Sequence, residues 1–81
     1  MKATVTVTPK KSILDPQGDA VRKAIHNLGM DCVQGVRIGK IIELDIAGTD
    51  LEKTRAKLEE IAQSLLSNPV IEDYKISLSQ E

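Results

Sequence analysis

Two side chains in this sequence could act as a nucleophile or a general base, His26 and Cys32. A catalytic histidine needs a nucleophile and an orienting carboxylate, and no Ser, Cys or Asp lies at a spacing that predicts such a triad. We therefore expect His26 to be a partly exposed helix histidine and Cys32 to be a small buried apolar residue. A single cysteine also excludes an internal disulfide and a cysteine-based zinc site.

The acidic and glycine residues are too dispersed to predict a metal or phosphate site. Pairs such as Glu59-Glu60 alternate with apolar residues, as on a solvated face, whereas a metal site needs several converging oxygen ligands. Gly35, Gly39 and Gly48 do not form a glycine-rich loop between a strand and a helix. We expect no catalytic residue, no cofactor-binding residue and no metal ligand on this chain.

The overall composition excludes several classes of protein. Among 81 residues, 41% are hydrophobic and Tyr74 is the one aromatic side chain, while 11 basic residues nearly balance 12 acidic ones. The chain thus lacks the positive excess and the stacking aromatics of nucleic-acid binders. No apolar run approaches the roughly 20 residues of a membrane span. The opening residues have no signal-peptide pattern, so we expect a cytoplasmic protein.

The chain is small for a stable monomer. A domain of about this length buries only about 60% of the surface that its unfolded chain exposes. Since the sequence offers no disulfide, no metal site and almost no aromatic side chains, association is the remaining way to enlarge the core. We therefore expect a homo-oligomer.

Two segments predict strands near the two ends of the chain. Residues from Lys2 to Thr8 alternate between apolar and threonine side chains, and Pro9 ends this segment. Residues from Val70 to Ser79 also alternate over most of their length. Such alternation predicts a strand with one buried face. The residues expected on the buried faces are Ala3, Val5, Val7, Tyr74, Ile76 and Leu78.

A first helix is predicted from Pro16 to Leu28. Asp15 is a favoured N-cap, proline is tolerated at the first helical position, and Gly29 follows where a left-handed cap belongs. The helical spacing of its apolar residues predicts one buried stripe. That stripe consists of Val21, Ala24, Ile25 and Leu28.

A second helix is predicted from Leu51 to Ser67. Thr49 and Glu52 have the spacing of a capping box at its start. Asn68-Pro69 ends it, because proline cannot continue a helix.

The stretch from Val33 to Ile46 allows two interpretations. Gly39-Lys40 could form a two-residue hairpin turn, but the turn would place Glu43 and Asp45 on the apolar face. Without a turn the alternation is continuous, which favours one straight strand roughly 40 Å long. A bulge at Gly39 could also reset the alternation, so the hairpin stays open as an alternative.

The predicted order is β-α-β-(β)-α-β, a single α+β domain over residues 1–81. A bend at Gly39 would give a ferredoxin-like sandwich from one chain. A straight central strand would leave each half-sandwich to be completed by a second chain, giving a segment-swapped dimer. The alternation between Val36 and Ile46 favours the swapped dimer.

Three segments in this order resemble the PurS family, the small subunit of phosphoribosylformylglycinamidine (FGAM) synthase. They are Ile13-Leu14-Asp15-Pro16-Gln17-Gly18, then Val36-Arg37 with Gly39-Lys40, then Asn68-Pro69-Val70-Ile71-Glu72-Asp73-Tyr74. Each segment is weak alone, but the set extends over nearly the whole chain in a fixed order and is specific.

The resemblance implies a non-catalytic assembly subunit in de novo purine biosynthesis. In that family the synthetase (PurL) and glutaminase (PurQ) subunits perform the chemistry with ATP, magnesium and glutamine, and the small subunit brings them together for ammonia transfer. The resemblance implies a segment-swapped dimer of ferredoxin-like halves, and it leaves open whether such dimers pair further into tetramers. A homodimer or tetramer with no cofactor of its own is therefore expected.

Five residues are predicted to contact partner subunits. The prediction rests on apolar or charged exposure that the chain's own fold does not obviously use. Ile13, Leu14 and Gln17 belong to the loop and helix start, and Arg37 and Lys40 belong to the central strand.

The main alternative is a small-molecule-sensing regulatory module, because βαββαβ domains often bind small regulators between subunits. A ligand-dependent rise in melting temperature without any effect of partner subunits would favour it. A stand-alone enzyme is not predicted by any residue pattern, and the lone Tyr74 argues against an RNA-binding domain. The subunit ratio and any requirement for nucleotide or glutamine in assembly stay open.

Overall fold

The fold is built on a three-stranded antiparallel sheet with the first strand in the middle. The computed structural model describes residues 1–80. Its strands are β1 (Lys2–Pro9), β2 (Lys40–Asp45) and β3 (Glu72–Ser79), in the order β2-β1-β3. Its helices are α1 (Pro16–Asn27) and α2 (Leu51–Ile61), and a π-helical turn (Ala62–Leu66) follows α2. The order β-α-β-α-β confirms the predicted α+β class.

The register of the sheet gathers the apolar side chains on one face. Val5 lies opposite Ile42 of β2 and Ile76 of β3. Val5 and Val7 are fully buried, and Ala62 of the π-helical turn belongs to the same core. The predicted buried face is therefore confirmed. Ala3, Val5 and Val7 are buried on it, and Tyr74, Ile76 and Leu78 are half-buried.

Helix α1 begins where it was predicted and ends one residue earlier, at Asn27. The Asp15 carboxylate accepts a hydrogen bond from the backbone N–H of Gln17 at 3.1 Å, as expected of an N-cap. Leu28 caps the other end, and Gly29 follows with φ of +100°, the left-handed conformation predicted for it.

The start of α2 corrects the predicted cap. Asp50 is the N-cap, and its carboxylate accepts a hydrogen bond from the backbone N–H of Lys53 at 3.1 Å. The predicted capping box of Thr49 with Glu52 is wrong. Both Thr and Asp are good caps, but it is the carboxylate of Asp50 that reaches an N–H of the first helical turn.

Replacing Asp50 with alanine should lower the free energy of unfolding by about 1 kcal/mol, because Lys53 N–H loses its acceptor. Thr49→Ala is the matched control and should change the free energy of unfolding by no more than a few tenths of a kcal/mol. Urea denaturation of both variants measures the difference. A larger loss for Thr49→Ala would restore Thr49 as the cap.

Helix α2 does not continue in regular form to Ser67 as predicted. The backbone N–H and the hydroxyl of Ser67 both donate to the Ala62 carbonyl, at 2.9 and 2.8 Å, and close a wide π-helical turn. The Asn68 carbonyl then accepts from the N–H of Glu72 at 2.7 Å. That turn delays the start of β3 to Glu72, whereas the alternation predicted a start at Val70.

The central segment is a strand over only part of its predicted length. Lys40–Asp45 pairs with β1, but residues 34–39 continue beyond the paired region and have no strand within residues 1–80 to pair with. Within the single chain the paired strand is therefore shorter than the predicted Val33 to Ile46, since a hydrogen-bonded strand needs a neighbour. No hairpin forms at Gly39 either. A Cβ there would overlap the Val7 carbonyl, so glycine permits the close passage beside β1.

Helix α1 lies away from the sheet of its own chain. The molecule measures 49 × 27 × 14 Å with a radius of gyration of 16.1 Å, against about 12 Å for a compact domain of this length. Helix α2 packs on β3, whereas α1 makes no extended contact with any strand. The apolar side chains of Val21 on α1 and of Leu28, its C-cap, are 39% and 87% exposed.

Candidate partner-binding surface

The Asp15 carboxylate joins the start of α1 to the segment that leads into β2. Oδ1 accepts from the N–H of Gln17 at 3.1 Å, and Oδ2 accepts from the N–H of Ile38 at 2.8 Å. Hydrogen bonds from the backbone of Ile38 first, and then of Gly18 and Gln17, hold the pKa of the Asp15 carboxyl below its usual value. The ionised carboxylate therefore fixes this crossing of the chain.

Further contacts hold residues 33–38 along α1. Gly18 is buried, and a Cβ on it would overlap the Val36 carbonyl. Nε2 of His26 lies 2.6 Å from the Val33 carbonyl oxygen, to which it donates. His26 is half-buried on α1, which confirms the prediction that it is a partly exposed histidine on a helix. Cys32, predicted to be buried, is exposed because it lies in the turn after α1 and not in a packed strand.

Two adjoining depressions lie at the end of the molecule where β1 ends and α1 begins. The first, which we call the basic hollow, has a volume of about 400 Å³, and its lining includes Lys11, Ile13, Leu14, Arg22, Gln34 and Arg37. The second, which we call the apolar groove, has a volume of about 200 Å³, and its lining includes Pro9, Ile13, Leu14, Pro16, Ile71 and Glu72. Ile13 and Leu14 line both, so the two depressions form one continuous surface.

Some charged side chains that line the basic hollow form ion pairs, and others do not. The Asp19 carboxylate accepts from Nη2 of Arg22 at 2.7 Å and lies 3.2 Å from Nζ of Lys23. The hydrogen bond from Arg22, followed by that from Lys23, holds the pKa of Asp19 below its usual value. Arg37 instead donates to the Pro9 carbonyl at 3.1 Å, so its charge faces no carboxylate in this contact.

The structure brings together three of the five predicted contact residues. Ile13, Leu14 and Arg37 line the basic hollow. Gln17 is exposed on the first turn of α1 but is not part of the lining. Lys40 is exposed at the start of β2, opposite Val7 of β1, and also lies outside the hollow.

Val70 and Ile71 are not among the residues that the sequence predicted as partner contacts. Val70 is 77% exposed and Ile71 is 40% exposed in the connection before β3. The backbone N–H of Lys10 donates to the Ile71 carbonyl at 2.9 Å, which brings this connection beside the loop of Ile13 and Leu14. The available signal was a pair of large apolar residues in a loop, the same signal that drew attention to Ile13 and Leu14.

The described part of the chain, residues 1–80, contains no group of three or more His, Cys, Asp or Glu side chains placed to hold a metal ion. Over the same residues, no helix combines the length and the apolar character that crossing a membrane requires.

Comparison with known proteins gives matches over almost the full length. Residues 2–80 match the PurS family, described as phosphoribosylformylglycinamidine (FGAM) synthase. The phosphoribosylformylglycinamidine synthase subunit PurS of Methanocaldococcus jannaschii is 38% identical over 98% of this chain and 95% of its own. The structure of Bacillus subtilis PurS superimposes with a TM-score of 0.83 at 43% identity, covering 98% of both chains. A chain in the structure of PurLQS from Thermotoga maritima gives 0.80 at 27% identity, covering 94% of this chain and 93% of that one.

Proposed function

The chain belongs to the PurS family, and from that premise we propose that it is the non-catalytic assembly subunit of FGAM synthase in de novo purine biosynthesis. It bridges a glutaminase subunit and a synthetase subunit in the cytoplasm and supports the transfer of ammonia between them. Glutamine, ATP and magnesium are used by those partners. The observation that carries the proposal is the likeness to a chain of the Thermotoga maritima PurLQS structure over 94% of this chain.

Omitting this chain should abolish glutamine-dependent synthesis of FGAM by a mixture of the synthetase and glutaminase subunits. Synthesis driven by added ammonium chloride should persist, because free ammonia bypasses the need to join the two subunits. Product formation with either nitrogen source, with and without the chain, measures both effects. Equal glutamine-dependent rates with and without the chain would contradict the assembly role.

We also infer that two copies of the chain form a segment-swapped dimer. Residues 34–39 have no strand partner within the described chain, and α1 makes no extended contact with its own sheet. On the core face of the sheet, α2 packs against β3, at the edge away from β2, and Ile42 and Leu44 of β2 remain half-buried. A second copy could supply both a strand neighbour for residues 34–39 and a sheet for α1.

The five predicted contact residues remain our proposed partner contacts. Their exposure supports this role for Leu14, Gln17, Arg37 and Lys40, and the half-buried Ile13 lies beside Leu14. Ile13, Leu14 and Arg37 are further supported by their convergence on the basic hollow.

A further inference from the structure

The loop after β1 and the connection before β3 lie side by side and form one largely apolar end of the molecule. Lys10 ties them twice, through its N–H to the Ile71 carbonyl at 2.9 Å and through Nζ to the Asp73 carboxylate at 2.9 Å. Leu14 and Val70 are nevertheless 83% and 77% exposed. Large apolar side chains that stay exposed beside one another are typical of surfaces that bind a partner, so this end is suited to binding.

Two cations without an ion-pair partner lie beside these apolar side chains. Lys11 and Arg37 both line the basic hollow, and neither forms an ion pair with a carboxylate of residues 1–80. The two carboxylates in the lining are already engaged, Asp19 by Arg22 and Asp15 by backbone N–H groups. The lining thus carries three cations against two carboxylates, and within residues 1–80 Lys11 and Arg37 form no ion pair, which leaves an excess of positive charge in the hollow.

We propose that this end of the molecule is a docking surface for a segment of a partner protein in which a large apolar side chain lies next to carboxylates. The docking surface consists of Lys11, Ile13, Leu14, Arg37, Val70 and Ile71. The apolar side chain of the partner occupies the apolar groove, and its carboxylates pair with Lys11 and Arg37. The proposal rests on the assembly function above and specifies the chemistry by which a partner subunit is recognised.

A second copy of this chain, which we infer to pair with the backbone edge of residues 34–39, is a poor occupant of the charged side-chain surface itself. Symmetric contact of two identical patches would place Lys11 and Arg37 of each copy near their equivalents, with no free carboxylate between them. Like charges brought together at an interface oppose association. Charge complementarity therefore favours a different protein with acidic residues.

Two pairs of variants with matched chemistry test the docking surface. Leu14→Ser removes its most exposed apolar side chain, and Leu65→Ser is the control, because Leu65 is 76% exposed but lies in the π-helical turn. Arg37→Glu reverses a charge of the surface, and Arg55→Glu makes the same change on an exposed position of α2. Each variant is titrated into purified synthetase and glutaminase subunits, and the half-maximal concentration for glutamine-dependent turnover is measured. Direct binding to each subunit is measured in parallel.

Leu14→Ser and Arg37→Glu should each raise the half-maximal concentration by about tenfold or more, as at an interface hot spot. The two controls should stay within about twofold of wild type, and thermal unfolding should show all four variants folded. Added salt should weaken partner binding by the wild type more than binding by Arg37→Glu. Salt screens the ion pair that Arg37 forms, and the variant no longer has that ion pair.

Two outcomes overturn the docking surface in different ways. If Leu14→Ser and Arg37→Glu behave like the wild type, or if the control variants weaken binding equally, the proposed docking surface is contradicted. Either result leaves the assembly function unaffected. A wild-type chain that neither binds nor activates the two subunits removes the assembly function, and the docking surface with it.

Discussion

Replacing Gly18 with alanine is expected to lower the free energy of unfolding by about 1–2 kcal/mol, although alanine is the better helix former. Helix propensity alone would favour alanine by up to about 1 kcal/mol. A Cβ at position 18, however, would overlap the Val36 carbonyl, and overpacking of this kind costs about 1–3 kcal/mol. The clash is the larger effect, because a backbone carbonyl cannot rotate away as the end of a side chain can.

Gly35→Ala is the matched control for this substitution. Gly35 belongs to the same crossing segment, but a Cβ there would have no neighbouring atom within 4 Å. Its backbone does not have a positive φ, so alanine should be neutral or stabilise by up to about 1 kcal/mol. Urea unfolding of the two variants beside wild type measures the contrast. If Gly18→Ala were as stable as Gly35→Ala, the segment would not be held against α1.

The strands at the two ends of the chain could be predicted because their signal is local. Alternation with a period of two placed Val5 and Val7 on one face, and both are fully buried. The same reasoning put Ile76 on the buried face of β3. When one face of a strand packs against the core, the alternation of apolar and polar residues is enough to identify the buried face.

The central segment could not be predicted in the same way, because its pairing depends on a neighbour that alternation does not describe. Residues 34–39 have the same alternating pattern as Lys40–Asp45, yet only the latter segment forms a hydrogen-bonded ladder with β1. The cap of α2 failed for a related reason. Thr49 and Asp50 are both suitable caps, and residue spacing does not reveal which of them reaches an N–H of the first helical turn.

The candidate site was predicted in part, since its residues come from three places in the sequence. Ile13 and Leu14 were recognisable as apolar residues in a loop, and Arg37 as a cation among apolar neighbours. Their proximity to Ile71 results from a hydrogen bond between Lys10 and Ile71, which are 61 positions apart. Only the antiparallel pairing of β1 with β3 makes that contact, and residue spacing does not reveal it.

Replacing Ala24 with glutamate is expected to convert a dimer into a monomer, whereas Ala56→Glu should leave the dimer intact. Both alanines are exposed helical residues within the isolated chain. Ala24, however, belongs to the apolar stripe with Val21 and Leu28, which the described chain leaves exposed. If a second copy covers this stripe, glutamate buries a charge without a partner there, at a cost of about 3–5 kcal/mol.

Light scattering distinguishes these outcomes directly. Wild type and Ala56→Glu should have a mass of at least twice the 8.8 kDa of one chain, and Ala24→Glu should approach the mass of one chain. An acidic residue near the end of α1 costs at most about 1 kcal/mol through the helix dipole, which would lower stability without dissociating the copies. A single-chain mass for the wild type would contradict the swapped dimer. Equal dimer masses for both variants would show instead that the stripe on α1 lies outside the interface, so α1 would need another partner to cover it.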